Sequence, residues 1–118
     1  MIHRKKVVWD LCSGLGGWSE AFLQDGWIVI RIDNNIDLSH IAFTQRLDVR
    51  NWVDWIEHLP DPDLILASPP CTEFSMAQNF HSNRPDDPDM SILMACIQII
   101  DYTKPKYWCI ENVAGAYQ

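Results

Sequence analysis

Apolar residues gather in four short runs, at positions 6–11, 27–32, 63–67 and 106–110, with a weaker run at 43–47. Each run is rich in Val, Ile, Leu or Trp and is bounded by polar or turn-forming residues, so each predicts a buried β-strand. Helical spacing fills the gaps between them. Trp18, Ala21 and Phe22 share one face, and Gly26 follows Asp25 as a natural stop. Trp52, Trp55, Ile56 and Leu59 recur at i, i+3, i+4 and i+7 until Pro60 ends the pattern. A last helix begins near Pro88, with Asp87 as its cap, and runs to about Tyr102 before Pro105.

Strands alternating with helices predict an α/β fold: a parallel, Rossmann-like sheet of about five strands joined by right-handed crossovers. There is no repeat, low-complexity tract or linker, so residues 1–118 read as a single domain. One stretch, 69–87, is a long polar loop rich in Pro, Asp and Asn, and loops of that length usually carry function.

Composition narrows the classes. A chain of 118 residues, 47% hydrophobic and 21% charged, is globular and large enough for a core without metals or disulfides. No apolar run approaches the ~20 residues of a membrane span. Residues 1–6 lead directly into the first strand without a signal-peptide pattern, so a cytoplasmic location is expected. The net charge of −7 gives no general attraction to phosphate backbones. Arg4-Lys5-Lys6 is the local exception, and reads more simply as a solvated strand start. Cys12, Cys71, Cys96 and Cys109 form no C-x-x-C pair, which argues against zinc.

Three places carry candidate chemistry. The first is Asp10-Leu11-Cys12-Ser13-Gly14-Leu15-Gly16-Gly17, between the first strand and the first helix. Glycines there allow a tight turn and close approach to a ligand, and a helix N-terminus offers free N–H groups. The loop lacks the Gly-Lys-Ser/Thr of a nucleotide P-loop. Asp33, 19 residues after Gly14, stands where an acid can bind ribose hydroxyls. Asp48 follows the weak strand, where it can accept from an adenine amino group. Each acid is equally at home as a cap or turn residue.

The second is Ala67-Ser68-Pro69-Pro70-Cys71-Thr72-Glu73-Phe74-Ser75, after the fourth strand. Two prolines fix their own φ and push Ser68 toward extended geometry. That arrangement aims one side chain, the Cys71 thiol, which is a strong nucleophile once deprotonated. In strand order 3-2-1-4-5, Cys71 and the glycine loop flank the point where the order reverses, where such sheets bind ligands. Cys12, Cys96 and Cys109 lie in apolar runs and read as buried packing. The third place is Glu111-Asn112-Val113, where a carboxyl at an apolar strand end, partly desolvated, is equipped to donate a proton.

Taken in order, these motifs resemble the cytosine-C5 DNA methyltransferases. That family carries a D-L-F-x-G-x-G-G loop, a Pro-Cys nucleophile and a Glu-Asn-Val segment, matched here by residues 10–17, Pro70-Cys71 and 111–113. The resemblance implies a sheet of order 3-2-1-4-5 and S-adenosyl-L-methionine as cofactor. It implies that Cys71 attacks carbon 6 of a flipped-out cytosine in DNA, helped by Pro70, Glu111 and Asn112. It assigns the cofactor pocket to Asp10, Cys12, Ser13, Gly14, Gly16 and Gly17, to Asp33 and Asn34, to Asp48 and Val49, and to Pro69. Cys12 and Thr72 depart from the family's usual Phe and Gln. The match covers only the first part of a family member, without the later Arg motif, a target-recognition region or a C-terminal helix. A second subunit, or self-association through an exposed fifth strand, is therefore expected.

Other functions stay open at this point. A methyltransferase of a small or single-stranded cytosine substrate would suit the acidic charge. A non-catalytic cofactor- or partner-binding module would suit an incomplete pocket. A nicotinamide dehydrogenase would share the glycine loop but gives the proline-framed cysteine no task.

Overall fold

A computed structural model describes residues 4–70 and 90–111. Five strands, β1 (Val7–Leu11), β2 (Ile28–Ile32), β3 (Thr44–Gln45), β4 (Leu64–Ala67) and β5 (Tyr107–Ile110), form one sheet. Every pairing is parallel, in the expected order β3-β2-β1-β4-β5. The weak apolar run around 43–47 gives the shortest strand, two residues at the sheet's edge.

Alternate positions of the central strands face two different layers. Val7, Trp9, Leu11, Ile30, Ile32, Ile65 and Ala67 pack against Trp55, Ile56, Ala95, Cys96 and Ile99. Val8, Val29 and Leu66 pack against Trp18, Phe22, Leu23 and Trp27 on the other side. Each large apolar side chain buried this way contributes roughly 1.5–3 kcal/mol. Both faces are covered, as a parallel sheet requires.

Helix α1 (Gly17–Gln24) ends as its sequence dictates. Gly26 takes φ 88°, its N–H donates to the Leu23 carbonyl, and the Trp27 N–H donates to the Phe22 carbonyl. The Phe22 and Trp27 rings close the motif edge to face, centroids 5.0 Å apart. Trp27 is thereby held in the cap, and β2 starts one residue later than the apolar run suggests. Helix α3 (Ser91–Thr103) stops at Lys104, which is left-handed at φ 49° just before Pro105. The expected cap at Asp87 and first turn at Pro88 lie outside the described residues.

The helix expected at 52–59 is broken. Helix α2 is a single turn, Trp52–Trp55, between 3-10 turns at Val49–Asn51 and Ile56–His58. Its apolar face survives: Trp55 and Ile56 are buried and Trp52 and Leu59 pack on the same cluster. Two indoles set this backbone. Trp55 Nε1 donates to the Asp48 carbonyl and Trp9 Nε1 to the Pro60 carbonyl, each at 3.0 Å, so tertiary bonds at both ends override a continuous helix.

The basic start is structural. Arg4 forks onto Asp63, which also accepts from the Val7 N–H at 2.7 Å, and Lys6 lies 5.6 Å from the Trp27 ring centroid. Cys109 departs from its expected burial. It is exposed on β5, as are Tyr107 and Trp108, because among the described residues β5 is an edge strand.

Candidate functional site

The glycine loop is tied to the end of β2 rather than to itself alone. The N–H groups of Cys12 and Ser13 both donate to the Ile32 carbonyl, at 2.8 and 3.1 Å. Gly14 N–H donates to Asp33 Oδ2 at 2.9 Å, and Asn35 N–H to Asp33 Oδ1 at 2.9 Å. These bonds hold Cys12 at φ 59°, a left-handed conformation costing a non-glycine residue about 1–2 kcal/mol. Such strain is common where a loop is shaped for a ligand.

Beneath the loop lies a buried polar network. Arg31, from β2, is 2% exposed, Asp10, from β1, is 1% exposed, and Ser19, from α1, is wholly buried. Arg31 Nε donates to Ser19 Oγ at 2.9 Å, and Ser19 Oγ donates to Asp10 Oδ2 at 2.6 Å. Arg31 Nη2 donates to the Gly16 carbonyl and to Glu20 Oε1, each at 3.0 Å, and Nη1 to the Ala42 carbonyl at 3.1 Å. Burial pushes the Asp10 carboxyl up to about 6, against the pull of Ser19 and Arg31. Sequence reasoning singled out Asp10 but missed Arg31 and Ser19. The available signal was one charge inside the apolar run Ile28–Ile32, in a sheet covered on both faces.

Above the strand ends, a cavity of about 170 Å³ is lined by Cys12, Ile32, Asp33, Asn34, Leu47, Asp48, Val49, Arg50, Pro70 and Ile92. It unites six of the residues expected to bind a cofactor or substrate: Cys12, Asp33, Asn34, Asp48, Val49 and Pro70. Ser13, Gly14 and Gly16 form the adjoining loop and Gly17 opens α1 after it, while Asp10 lies beneath the loop. Pro69 is buried at the end of β4. Asp48 caps a 3-10 turn, accepting from the Arg50 N–H at 2.9 Å and pairing with the Arg50 guanidinium at 2.8 Å. Arg50 holds the Asp48 carboxyl below its usual range. The cavity is smaller than the roughly 300–1,000 Å³ of complete small-molecule pockets.

Strand register extends this site along the sheet. Leu11 pairs with Ile32 and Ala67, and Ala67 pairs with Ile110. One step beyond each strand, Asp33, Cys12, Ser68 and Glu111 therefore form a row. Ser68 N–H donates to the Leu11 carbonyl and Glu111 N–H to the Ala67 carbonyl, which continues the ladder into the row. At about 4.8 Å per strand, Glu111 stands roughly 10 Å from Cys12 along it. Glu111 is exposed. Cys71 and Asn112 lie outside the described residues.

The profile of the C-5 cytosine-specific DNA methylases matches residues 7–118. This chain belongs to the C-5 cytosine-specific DNA methylase family. Among curated relatives, it is 27% identical over 120 residues to the type II methyltransferase M1.HphI of Haemophilus parahaemolyticus, covering 92% of this chain and 32% of that protein. It is 30% identical to M.HindV of Haemophilus influenzae, covering 88% and 36%, and 29% identical to M.DdeI of Desulfomicrobium norvegicum, covering 90% and 27%. The chain thus spans about a third of the length of these relatives. An L-threonine dehydrogenase structure from Clostridium difficile, 17% identical with a TM-score of 0.54, covers 90% of this chain and 36% of that one. At that identity the likeness shows the shared α/β fold alone.

The methylase-family cofactor, S-adenosyl-L-methionine, fits the donor set around this crevice. Ile32, Leu47, Val49 and Ile92 offer apolar walls for a flat base, and two carboxylates, Asp33 and Asp48, offer acceptors for hydroxyl and amino groups. Ser13 Oγ and Asp10 Oδ1 are buried without a hydrogen-bond partner among the described residues, at and below the loop a polar ligand would meet.

Proposed function

We propose that this chain is the cofactor-binding, nucleophile-bearing domain of an enzyme that methylates carbon 5 of cytosine in DNA. The observation that supports the reading is the row Asp33, Cys12, Ser68, Glu111 across the strand ends, of which Asp33 and Cys12 line the crevice, in a chain of the methylase family. When bound, S-adenosyl-L-methionine supplies an electrophilic methyl group on a sulfonium.

The chain's own residues divide the remaining work. Asp33 accepts from the ribose hydroxyls and Asp48 from the adenine amino group, with Asn34 and Val49 beside them and Gly14, Gly16 and Gly17 bordering the methionine portion. The Cys71 thiolate adds to carbon 6, so the displaced electron pair makes carbon 5 a nucleophile. Glu111 protonates or hydrogen-bonds N3 and keeps charge from building on the ring. Asn112 orients the Pro69-Pro70-Cys71 turn. Once carbon 5 carries the methyl group and the neutral thioether has left, water takes the carbon 5 proton, the carbon–sulfur bond to Cys71 breaks, Glu111 recovers its proton from N3 and aromaticity returns.

The other cysteines do not compete for this role. The Cys96 thiol, and then burial, push the Cys12 thiol well above its ordinary range, so it stays protonated. Cys96 is fully buried, and Cys109 sits within β5, away from the row of strand ends.

Binding of DNA falls mainly to polypeptide beyond these residues. Arg4, Arg31 and Arg50 are engaged with Asp63, Glu20 and Asp48, and the net charge is −7. Extruding a base from a duplex costs a few kcal/mol and needs surface to hold the phosphates. The proposed partner surface is β5. Tyr107 and Trp108 are 61% and 57% exposed, beside a groove of about 360 Å³ lined by Ile97, Ile100, Lys104, Pro105 and Trp108. A polypeptide corresponding to the rest of the relatives' length pairs there and supplies target recognition.

The test is transfer of a tritiated methyl group to duplex DNA, single strands and free deoxycytidine nucleotide, with and without such a partner. Incorporation into duplex DNA that vanishes in Cys71→Ala supports the reading. Incorporation that survives this substitution overturns it.

A further inference from the structure

Arg31 is an expensive residue to keep where it stands. A buried guanidinium loses several kcal/mol of hydration unless its donors are met and its charge is balanced. It is met at four points: Ser19 Oγ, the Gly16 carbonyl, Glu20 Oε1 and the Ala42 carbonyl. These belong to the helix α1, the glycine loop and the segment leading into β3. A Cβ on Gly16 would stand 2.6 Å from Arg31 Nε and 2.7 Å from Cζ, so loop backbone and guanidinium are packed directly together. Two residues further along the chain, Asp33 accepts from the Gly14 N–H. The end of β2 therefore grips the loop twice, at Gly14 and at Gly16.

We propose that Arg31 is a positioning residue, setting the glycine loop at the height the cofactor needs without touching the cofactor. The inference rests on the cofactor reading above. The planar fork explains the choice of residue: Nε, Nη1 and Nη2 point three ways at once, whereas an ammonium in the same space would have to abandon part of the set. Charge is balanced as well: the buried Asp10, reached through Ser19, and the half-exposed Glu20 offset Arg31.

The experiment combines amide hydrogen exchange with calorimetric titration of S-adenosyl-L-methionine, on the whole chain, at a temperature where each variant is folded. Arg31→Met keeps the length and loses the fork. It is expected to speed exchange at Gly14 and Gly16 roughly tenfold, with Trp9 and Ile65 unchanged, and to weaken the Kd by a similar factor. Arg31→Lys is expected to fall between, a partial rescue that loss of fold would not give, and it carries the test if Arg31→Met does not fold. Arg4→Met, which breaks a surface pair with Asp63, is expected to leave the Kd unchanged. Wild-type binding that persists at wild-type affinity in a folded Arg31 variant would overturn the role of Arg31 and leave the cofactor reading intact. No saturable binding by the wild type, with loop exchange still responding to Arg31→Met, would overturn the cofactor reading and this role with it.

Discussion

The guanidinium of Arg31 occupies the space that a side chain at Gly16 would need, with Nε 2.6 Å from the position of such a Cβ. Gly16 also takes φ 82°, so both space and conformation exclude other residues. Gly26 shares the left-handed conformation, φ 88°, but faces open space. Gly17 has neither constraint. Urea denaturation should therefore rank three alanine variants. Gly16→Ala is expected to cost about 2 kcal/mol or more, Gly26→Ala about 1 kcal/mol, and Gly17→Ala nothing or a small gain. Equal losses at 16 and 26 would show that the arginine packing carries no weight.

Asp10 should leave a signature in the pH dependence of stability. Its carboxyl titrates near 6 in the folded protein, against an ordinary value of 3.8, chiefly because it is buried. The unfolded chain then releases this proton first as pH rises. The contribution is full below about 4 and is lost as pH climbs through 6, on the order of 3 kcal/mol. Glu20, Asp48 and Asp63 are shifted down by their arginine partners, so their contributions run the other way and fade in acid. Denaturation between pH 4 and 7 should show wild-type stability falling relative to Asp10→Asn across this window. Parallel curves would contradict the burial argument.

β5, an edge strand among the described residues, predicts association. Light scattering on concentrated chain should report a species larger than one copy, and Trp108→Glu should shift it toward the monomer, because a charge placed on an exposed apolar edge opposes pairing. A wild type that stays monomeric at high concentration would contradict self-association through β5.

The strand order and the clustering of site residues at strand ends were legible because both follow from short apolar runs closed by polar residues. In the sequence, Asp33 and Asp48 suit ligand groups and turn residues alike. The structure gives each a backbone bond, at Gly14 and Arg50, while both still face the cavity. Arg31 is legible only as a lone charge inside the apolar run Ile28–Ile32 and Ser19 not at all, since the roles of both depend on a loop from β1 lying over β2, a tertiary contact that local spacing does not encode. The break in the 52–59 helix and the exposure of Cys109 have the same origin. One depends on where the Trp9 and Trp55 indoles find carbonyls, and the other on what covers β5.

The crevice between the glycine loop and Asp48 is the proposed seat of the methyl donor. Titrating the isotope-labelled chain with S-adenosyl-L-methionine while following its amide signals tests this most directly. Saturable shifts at Gly14, Asn34, Val49 and Arg50, with Lys104 and Trp108 unmoved, are the predicted result. Silence at those four positions, or shifts confined to the groove beside β5, would contradict it.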